Sequence, residues 1–285
     1  MLENAFFFWS FPFVYLVPFS NSSIKRYTLS VLKIHLLISS VFIVLYVFVR
    51  NKFGSNFHDL RKEIKSSSTK EFVVKGCKVL YFEPVKKKKR RILLFPGLGI
   101  SVRRMLQERC MDVFIEDSEI VCFQIRGLGE SDWNVDICSK SMLDDSLNIL
   151  TLFNHITDSS LKTLFIGYSL GCFVSMQCLS HTTTRDTRCE NILLVNGMCG
   201  GKTMVSHYKA LSIMLGVNVK QCVRGSNVPI TILHARDDNT VPINEAFELK
   251  RECDSIGRSC EMLICNGDHN HYEISRKDQS FLKKI

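Results

Sequence analysis

What the chain lacks narrows it first. It has 12 cysteines, yet none forms a C-x-x-C pair and no cysteine–histidine set has zinc-ligand spacing. That excludes the usual zinc modules and a thioredoxin-like centre. The first 54 residues hold no cysteine and a single acidic residue, Glu3. So apolar a segment, so poor in negative charge, does not read as part of a solvated globular surface. There is one N-glycosylation sequon, Asn21-Ser22-Ser23, and none later in the chain. No self-similar period indicates a repeat array. No interleaving of basic and aromatic residues indicates nucleic acid. Neither a cofactor, a metal nor a nucleic-acid partner is expected.

What is present divides in two. The 285 residues carry a net charge of +9 and are 46% hydrophobic. That suits one domain of roughly 200–250 residues with an appendage. Residues 1–54 are the appendage, a hydrophobic anchor region. Within it, Leu29 to Val49 reads LSVLKIHLLISSVFIVLYVFV, long enough as a helix to span roughly 31 Å, about one hydrocarbon core. Lys33 and His35 lie in its first two turns, within reach of headgroups. Lys25 and Arg26 flank one end, Arg50 and Lys52 the other. The run is too uniformly apolar to show an amphipathic face. The earlier stretch Ala5 to Phe19 contains Pro12 and Pro18 and lacks a basic leader, so it is a poor signal peptide. It is either an interfacial anchor or the first arm of a hairpin. Basic residues are richer after the helix than before it, which places the domain on the cytosolic side. Unpaired thiols suit that compartment.

Residues 55–70, ending in KSSSTK, read as a linker. Strand-like runs then alternate with helical periodicity. Strands are expected at Phe72–Glu83 (bent at Gly76), Ile92–Phe95, Glu119–Gln124, Thr163–Gly167, Ile192–Asn196, Ile230–His234 and Cys260–Cys265. Helices are expected at 101–115, Met142–Ile156, Leu170–His181, Asn244–Ile256 and near the C-terminus. Such alternation implies βαβ units and a mostly parallel α/β sheet. Lys86, Lys87, Lys88, Lys89, Arg90 and Arg91 form a charge run in a turn. It is read as solvated, with contact to anionic lipid as the sharper alternative.

The stretch FIGYSLGCF, residues 165–173, places Gly-x-Ser-x-Gly between a β-branched, aromatic run and an apolar helix. That is the setting of a nucleophile on a strand-to-helix elbow, whose neighbours two positions away must be small. Ser169 is the candidate nucleophile, and the Leu170 N–H at the helix start a candidate oxyanion donor. A second donor should come from a strand-ending turn upstream, and the Leu98 N–H of Phe95-Pro96-Gly97-Leu98-Gly99 is the candidate. An acid should follow a later strand, where Asp237 and Asp238 stand. A base should follow the last strand, where His269 and His271 stand. The order Ser, Asp, His, each just past a strand's carboxyl end, brings them to one edge of a parallel sheet.

These residues resemble the α/β-hydrolase superfamily over about residues 71–285. The chain is most similar to membrane-anchored α/β-hydrolase-domain proteins and monoacylglycerol-lipase-like serine hydrolases. GYSLG resembles the nucleophile elbow. LLFPGLG resembles the oxyanion turn, with Pro96-Gly97 where the family has His-Gly. IRGLGESDW resembles the stretch after the fourth strand, HARDDNTVP the acid loop and GDHNHY the base loop. The resemblance selects Asp238 over Asp237 and His269 over His271. It implies an α/β-hydrolase fold with a small cap at about 197–227, and hydrolysis through an acyl-enzyme. The cap stretch is apolar and methionine-rich (Met198, Met204, Met214), which suits acyl chains. The expected substrate is an acyl ester or thioester met at a membrane. The competing readings are a non-catalytic tethered interaction protein and a serine aminopeptidase.

Overall fold

The computed structural model describes residues 68–98, 100–128, 131, 138–182, 188–200 and 216–285. The anchor region, its Leu29–Val49 helix and residues 201–215 of the cap lie outside the described residues. Among the described residues, no helix is long and apolar enough to cross a membrane.

Nine strands form the sheet: β1 (Ser68–Val74), β2 (Cys77–Glu83), β3 (Arg90–Phe95), β4 (Ser118–Phe123), β5 (Lys162–Tyr168), β6 (Cys189–Val195), β7 (Ile230–Ala235), β8 (Cys260–Gly267) and β9 (Tyr272–Glu273), in the order β1-β2-β4-β3-β5-β6-β7-β8-β9. The six strands from β4 to β8 run parallel. β1 and β2 form an antiparallel hairpin. Its turn residues Lys75 and Gly76 both have positive φ, 48° and 85°, which matches the twist of a two-residue hairpin. The bend expected at Gly76 is this turn. β1 begins at Ser68, so three residues assigned to the linker pair with β2 instead.

The parallel strands are apolar on both faces, as burial from both sides requires. Along β3, Leu93 and Phe95 join one core layer while Ile92 and Leu94 join the other; β4 divides the same way at Val121 and Phe123 against Ile120 and Cys122. The first layer is covered by α2 (Ser139–Ile156), α3 (Leu170–Ser180), α4 (Val219–Arg224) and α5 (Asn244–Ser255). The second is covered by α1 (Val102–Met105), a 3-10 turn (Arg109–Val113) and α6 (Arg276–Leu282). The single helix expected over 101–115 is thus broken in two. All the cysteines are free, and all but Cys138 are buried, so they pack as small apolar residues.

The charge run lies where β3 begins, at the opposite edge from the strands' carboxyl ends. Lys86 pairs with Glu116, Lys89 with Asp117 at 2.9 Å, and Lys88 with both Glu83 at 2.7 Å and Glu119 at 2.8 Å. Lys87 is exposed. Arg90 donates to the Lys283 carbonyl and stacks on Phe114. Arg91 is buried, donating to Thr163 Oγ1 at 2.8 Å with its guanidinium 4.7 Å from the Phe153 ring. Acidic partners and burial therefore occupy most of the run, and Arg91 is a core residue that no headgroup reaches.

Arg258 closes the far end of the sheet. It is 7% exposed; its Nε and Nη2 donate to the Val228 carbonyl at 2.9 and 2.6 Å, and its Nη1 to that of Val223 at 2.6 Å. Arg258→Ala would strand both buried acceptors, so it should destabilise the fold by about 3 kcal/mol. The check is a fall in the urea midpoint at unchanged slope.

Candidate active site

The elbow forms where β5 meets α3. Ser169 sits between Tyr168 and Leu170 with φ 52° and ψ −115°, a conformation that costs a non-glycine residue about 1–3 kcal/mol. The two flanking glycines make it possible. A Cβ at Gly167 would lie 2.6 Å from the Gly171 carbonyl oxygen and 2.7 Å from the Cys172 Cα. A Cβ at Gly171 would lie 2.0 Å from the Phe95 carbonyl oxygen. The elbow helix therefore rests directly on the turn after β3. At Gly97 in that turn a Cβ would be 3.2 Å from the Ser169 Cβ. The turn carrying Leu98 thus abuts the serine, even with Pro96 where the related motif has histidine. Among the described residues, neither the Leu98 nor the Leu170 N–H donates to a protein acceptor.

The acid loop follows β7. Asp238 is 4% exposed, whereas Asp237 is exposed. Asp238 Oδ1 accepts from the Thr240 and Val241 N–H groups, each at 2.8 Å. Its Oδ2 lies 2.6 Å from His269 Nδ1. A carboxylate held by two backbone donors and one imidazole N–H has a fixed orientation. The base loop follows β8. Its own carboxylate, Asp268 Oδ1, accepts from the Asn270 and His271 N–H groups at 2.9 and 2.8 Å. His271 projects to solvent, its side chain 80% exposed. His269, 9% exposed, faces Asp238 instead. The geometry thus separates the alternatives in both loops: Asp238 pairs with His269, and neither Asp237 nor His271 joins them. Among the described residues, Ser169 and His269 are not hydrogen-bonded to each other; such a bond often forms or tightens only once substrate binds.

Three neighbours were not visible as site residues in the sequence. His234, fully buried, donates through Nε2 to the Val241 carbonyl at 2.8 Å, and the same nitrogen is 3.8 Å from Asp238 Oδ2. Its Nδ1 has no partner. Burial lowers its pKa, so the ring is neutral and braces the acid loop. Tyr168 donates its hydroxyl to the His269 carbonyl. Asn196, left-handed at φ 48°, donates through Nδ2 to the same carbonyl at 2.8 Å. The one available signal was an asparagine ending an apolar strand, since asparagine tolerates positive φ. The cap's first residues are tied down nearby. Glu245 Oε2 accepts from the Cys199 and Gly200 N–H groups at 2.8 and 2.9 Å, and Met198 packs on Val241.

No protein-family model and no curated protein matches the chain. Solved structures do. It is similar to the acylaminoacyl peptidase of Pyrococcus horikoshii with a TM-score of 0.57 and 13% identity, over 73% of this chain and 38% of that one. Est1E from Butyrivibrio proteoclasticus gives a TM-score of 0.56 and 13% identity, over 76% of this chain and 97% of that one. An esterase of Pyrococcus furiosus gives 0.53 and 15%, over 71% and 82%. The chain spans 38–40% of the length of the acylaminoacyl peptidases it matches. At these identities the likeness carries the fold, and the fold is that of the α/β-hydrolases.

Two outcomes follow from the site's strain and charge. Ser169→Gly removes the left-handed strain, so it should raise stability by about 1 kcal/mol, read as a higher melting temperature. Glu108, buried between α1 and the 3-10 turn, has its pKa pushed up to about 7, chiefly by burial, while Arg104 at 3.9 Å pulls it down. Its folded pKa exceeds its unfolded one, so the folded state holds the extra proton and stability falls as pH rises from about 4.5 to 7. Neutral His234 acts oppositely, its contribution being lost as pH falls below about 6.5. Glu108→Gln should therefore gain on the parent by about 3 kcal/mol between pH 4.5 and 8, measured by urea unfolding across that range.

Proposed function

We propose that the chain is a membrane-anchored serine hydrolase that cleaves carboxylic esters or thioesters of long acyl chains through Ser169, His269 and Asp238. The observation that carries this reading is the buried 2.6 Å contact between His269 Nδ1 and Asp238 Oδ2, at the sheet edge that also bears the left-handed Ser169. In this reading Ser169 Oγ attacks the acyl carbonyl while His269 Nε2 takes its proton. Asp238 holds the imidazole in the tautomer with Nδ1 protonated and stabilises the cation that forms. The negative charge on the carbonyl oxygen falls to the Leu98 and Leu170 N–H groups, which no acceptor among the described residues occupies. His269 then returns the proton to the leaving alcohol or thiol. Water, deprotonated by the same ring, releases the acid. The substrate class is supported by the apolar cap sequence, and the anchoring by the Leu29–Val49 run.

A peptidase reading has one observation in its favour, the likeness to an acylaminoacyl peptidase. Labelling of the detergent-solubilised full chain with a fluorophosphonate probe, beside Ser169→Ala, separates the possibilities when acyl esters and aminoacyl amides are offered in parallel. The expected result is serine-dependent labelling and ester cleavage. Ser169→Ala should then reduce kcat on the order of 10⁴-fold or more. Cleavage of amides alone would point to the peptidase, and labelling indifferent to position 169 would leave a scaffold.

A further inference from the structure

The loop that carries His269 is held at its main chain as well as at its ring. The His269 carbonyl points inward and receives two donors, the Tyr168 hydroxyl and Asn196 Nδ2 at 2.8 Å. Both donors are 0% exposed, so neither has water as an alternative partner. Tyr168 is the residue before Ser169, and its ring centroid lies 5.4 Å from that of His269. Asn270 Oδ1 lies 3.2 Å from the same phenolic oxygen. Burial keeps this phenol protonated, well above the usual tyrosine range. Asn196 reaches the other way as well. Its Oδ1 accepts from the Ala235 N–H at 2.8 Å and its own N–H donates to the Leu233 carbonyl at 2.9 Å. Ala235 ends β7, three residues before Asp238. One amide therefore spans from the acid-bearing strand to the base-bearing loop, and one phenol links the residue before the serine to that loop.

We propose that Tyr168 and Asn196 are positioning residues that clamp the His269 carbonyl and so set where its imidazole stands between Asp238 and Ser169. The proposal rests on the reading of His269 as the base. Its physical content is separate, however: it concerns where the ring is held. Rotation about the His269 backbone would carry Nε2 away from Ser169 while leaving Nδ1 able to follow Asp238 only in part. Misplacement on the ångström scale costs up to roughly a hundredfold in rate.

The test uses the full chain in detergent with two near-isosteric changes. Tyr168→Phe keeps the ring and removes the hydroxyl. Asn196→Asp keeps the acceptor for Ala235 and replaces the donor with an oxygen facing the carbonyl. The first readout is the far-downfield proton resonance of His269 Nδ1–H on Asp238, which needs no turnover. The second is the rate of fluorophosphonate labelling, with kcat and KM on an acyl ester. In each variant the resonance should move or broaden. Labelling and kcat should fall roughly tenfold to a hundredfold at an unchanged KM. The melting temperature of Tyr168→Phe should stay within about 4 °C. A resonance and a labelling rate both equal to the parent's in either folded variant would overturn the clamp. If the parent itself does not label, the hydrolase reading fails and the resonance alone decides the clamp.

Discussion

The site depends on one steric constraint: the absence of a Cβ on either side of Ser169. With Gly167 and Gly171, α3 can lie against the Phe95 and Pro96 carbonyls. That contact brings the turn of Gly97 and Leu98 up to the serine. It also forces Ser169 into a left-handed conformation that the surrounding core must hold in place. α3 is accordingly buried around nearly its whole surface, between the sheet, α2 and α4. A helix so enclosed cannot drift, so the strain at its first turn is not relieved by movement.

From that elbow the site is assembled by strand ends in register. Phe95 stands opposite Gly167, Tyr168 opposite Val195, and Ala235 opposite Cys265. Each loop leaves the sheet at nearly the same height. Short polar contacts then hold the loops: two backbone N–H groups orient Asp238 within its own loop, the His269 imidazole meets Asp238 across loops, and two buried donors converge on the His269 carbonyl. Buried polar groups of this kind are costly unless every partner is present. The exceptions are informative. Among the described residues, His234 Nδ1 and the Tyr272 hydroxyl are two of the buried polar atoms without a hydrogen-bond partner, and Glu108 keeps a carboxyl where water scarcely reaches.

Much of this was legible in the sequence, for local reasons. The glycine spacing around Ser169 announces a tight turn whatever its surroundings, and short β-branched runs identify the central strands. The centres of β3 to β8 lie where the runs of apolar residues place them, because strands buried on both faces admit little else. Boundaries and breaks were less legible. The helix expected over 101–115 divides because Gln107 and Glu108 separate α1 from the 3-10 turn, which periodicity alone does not register. The run from Lys86 to Arg91 looks uniform as text, yet it contains an exposed lysine at one position and a core arginine at another. Its acidic partners Glu116, Asp117 and Glu119 lie about thirty residues away.

By itself the sequence determined the elbow, the alternation of strands and helices, and the chain order of the candidate serine, aspartate and histidine. Each depends on residues close together, where sterics and apolar periodicity act directly. The resemblance had selected Asp238 over Asp237 and His269 over His271; the residues alone left each pair open, and the tertiary structure adds that Asp238 and His269 are the two in contact. Only it showed that Tyr168 and Asn196, which lie 101 and 73 residues from His269 in the sequence, meet at its carbonyl. Hydrogen bonds across such separations are set by strand order and register, which no local pattern of side chains encodes.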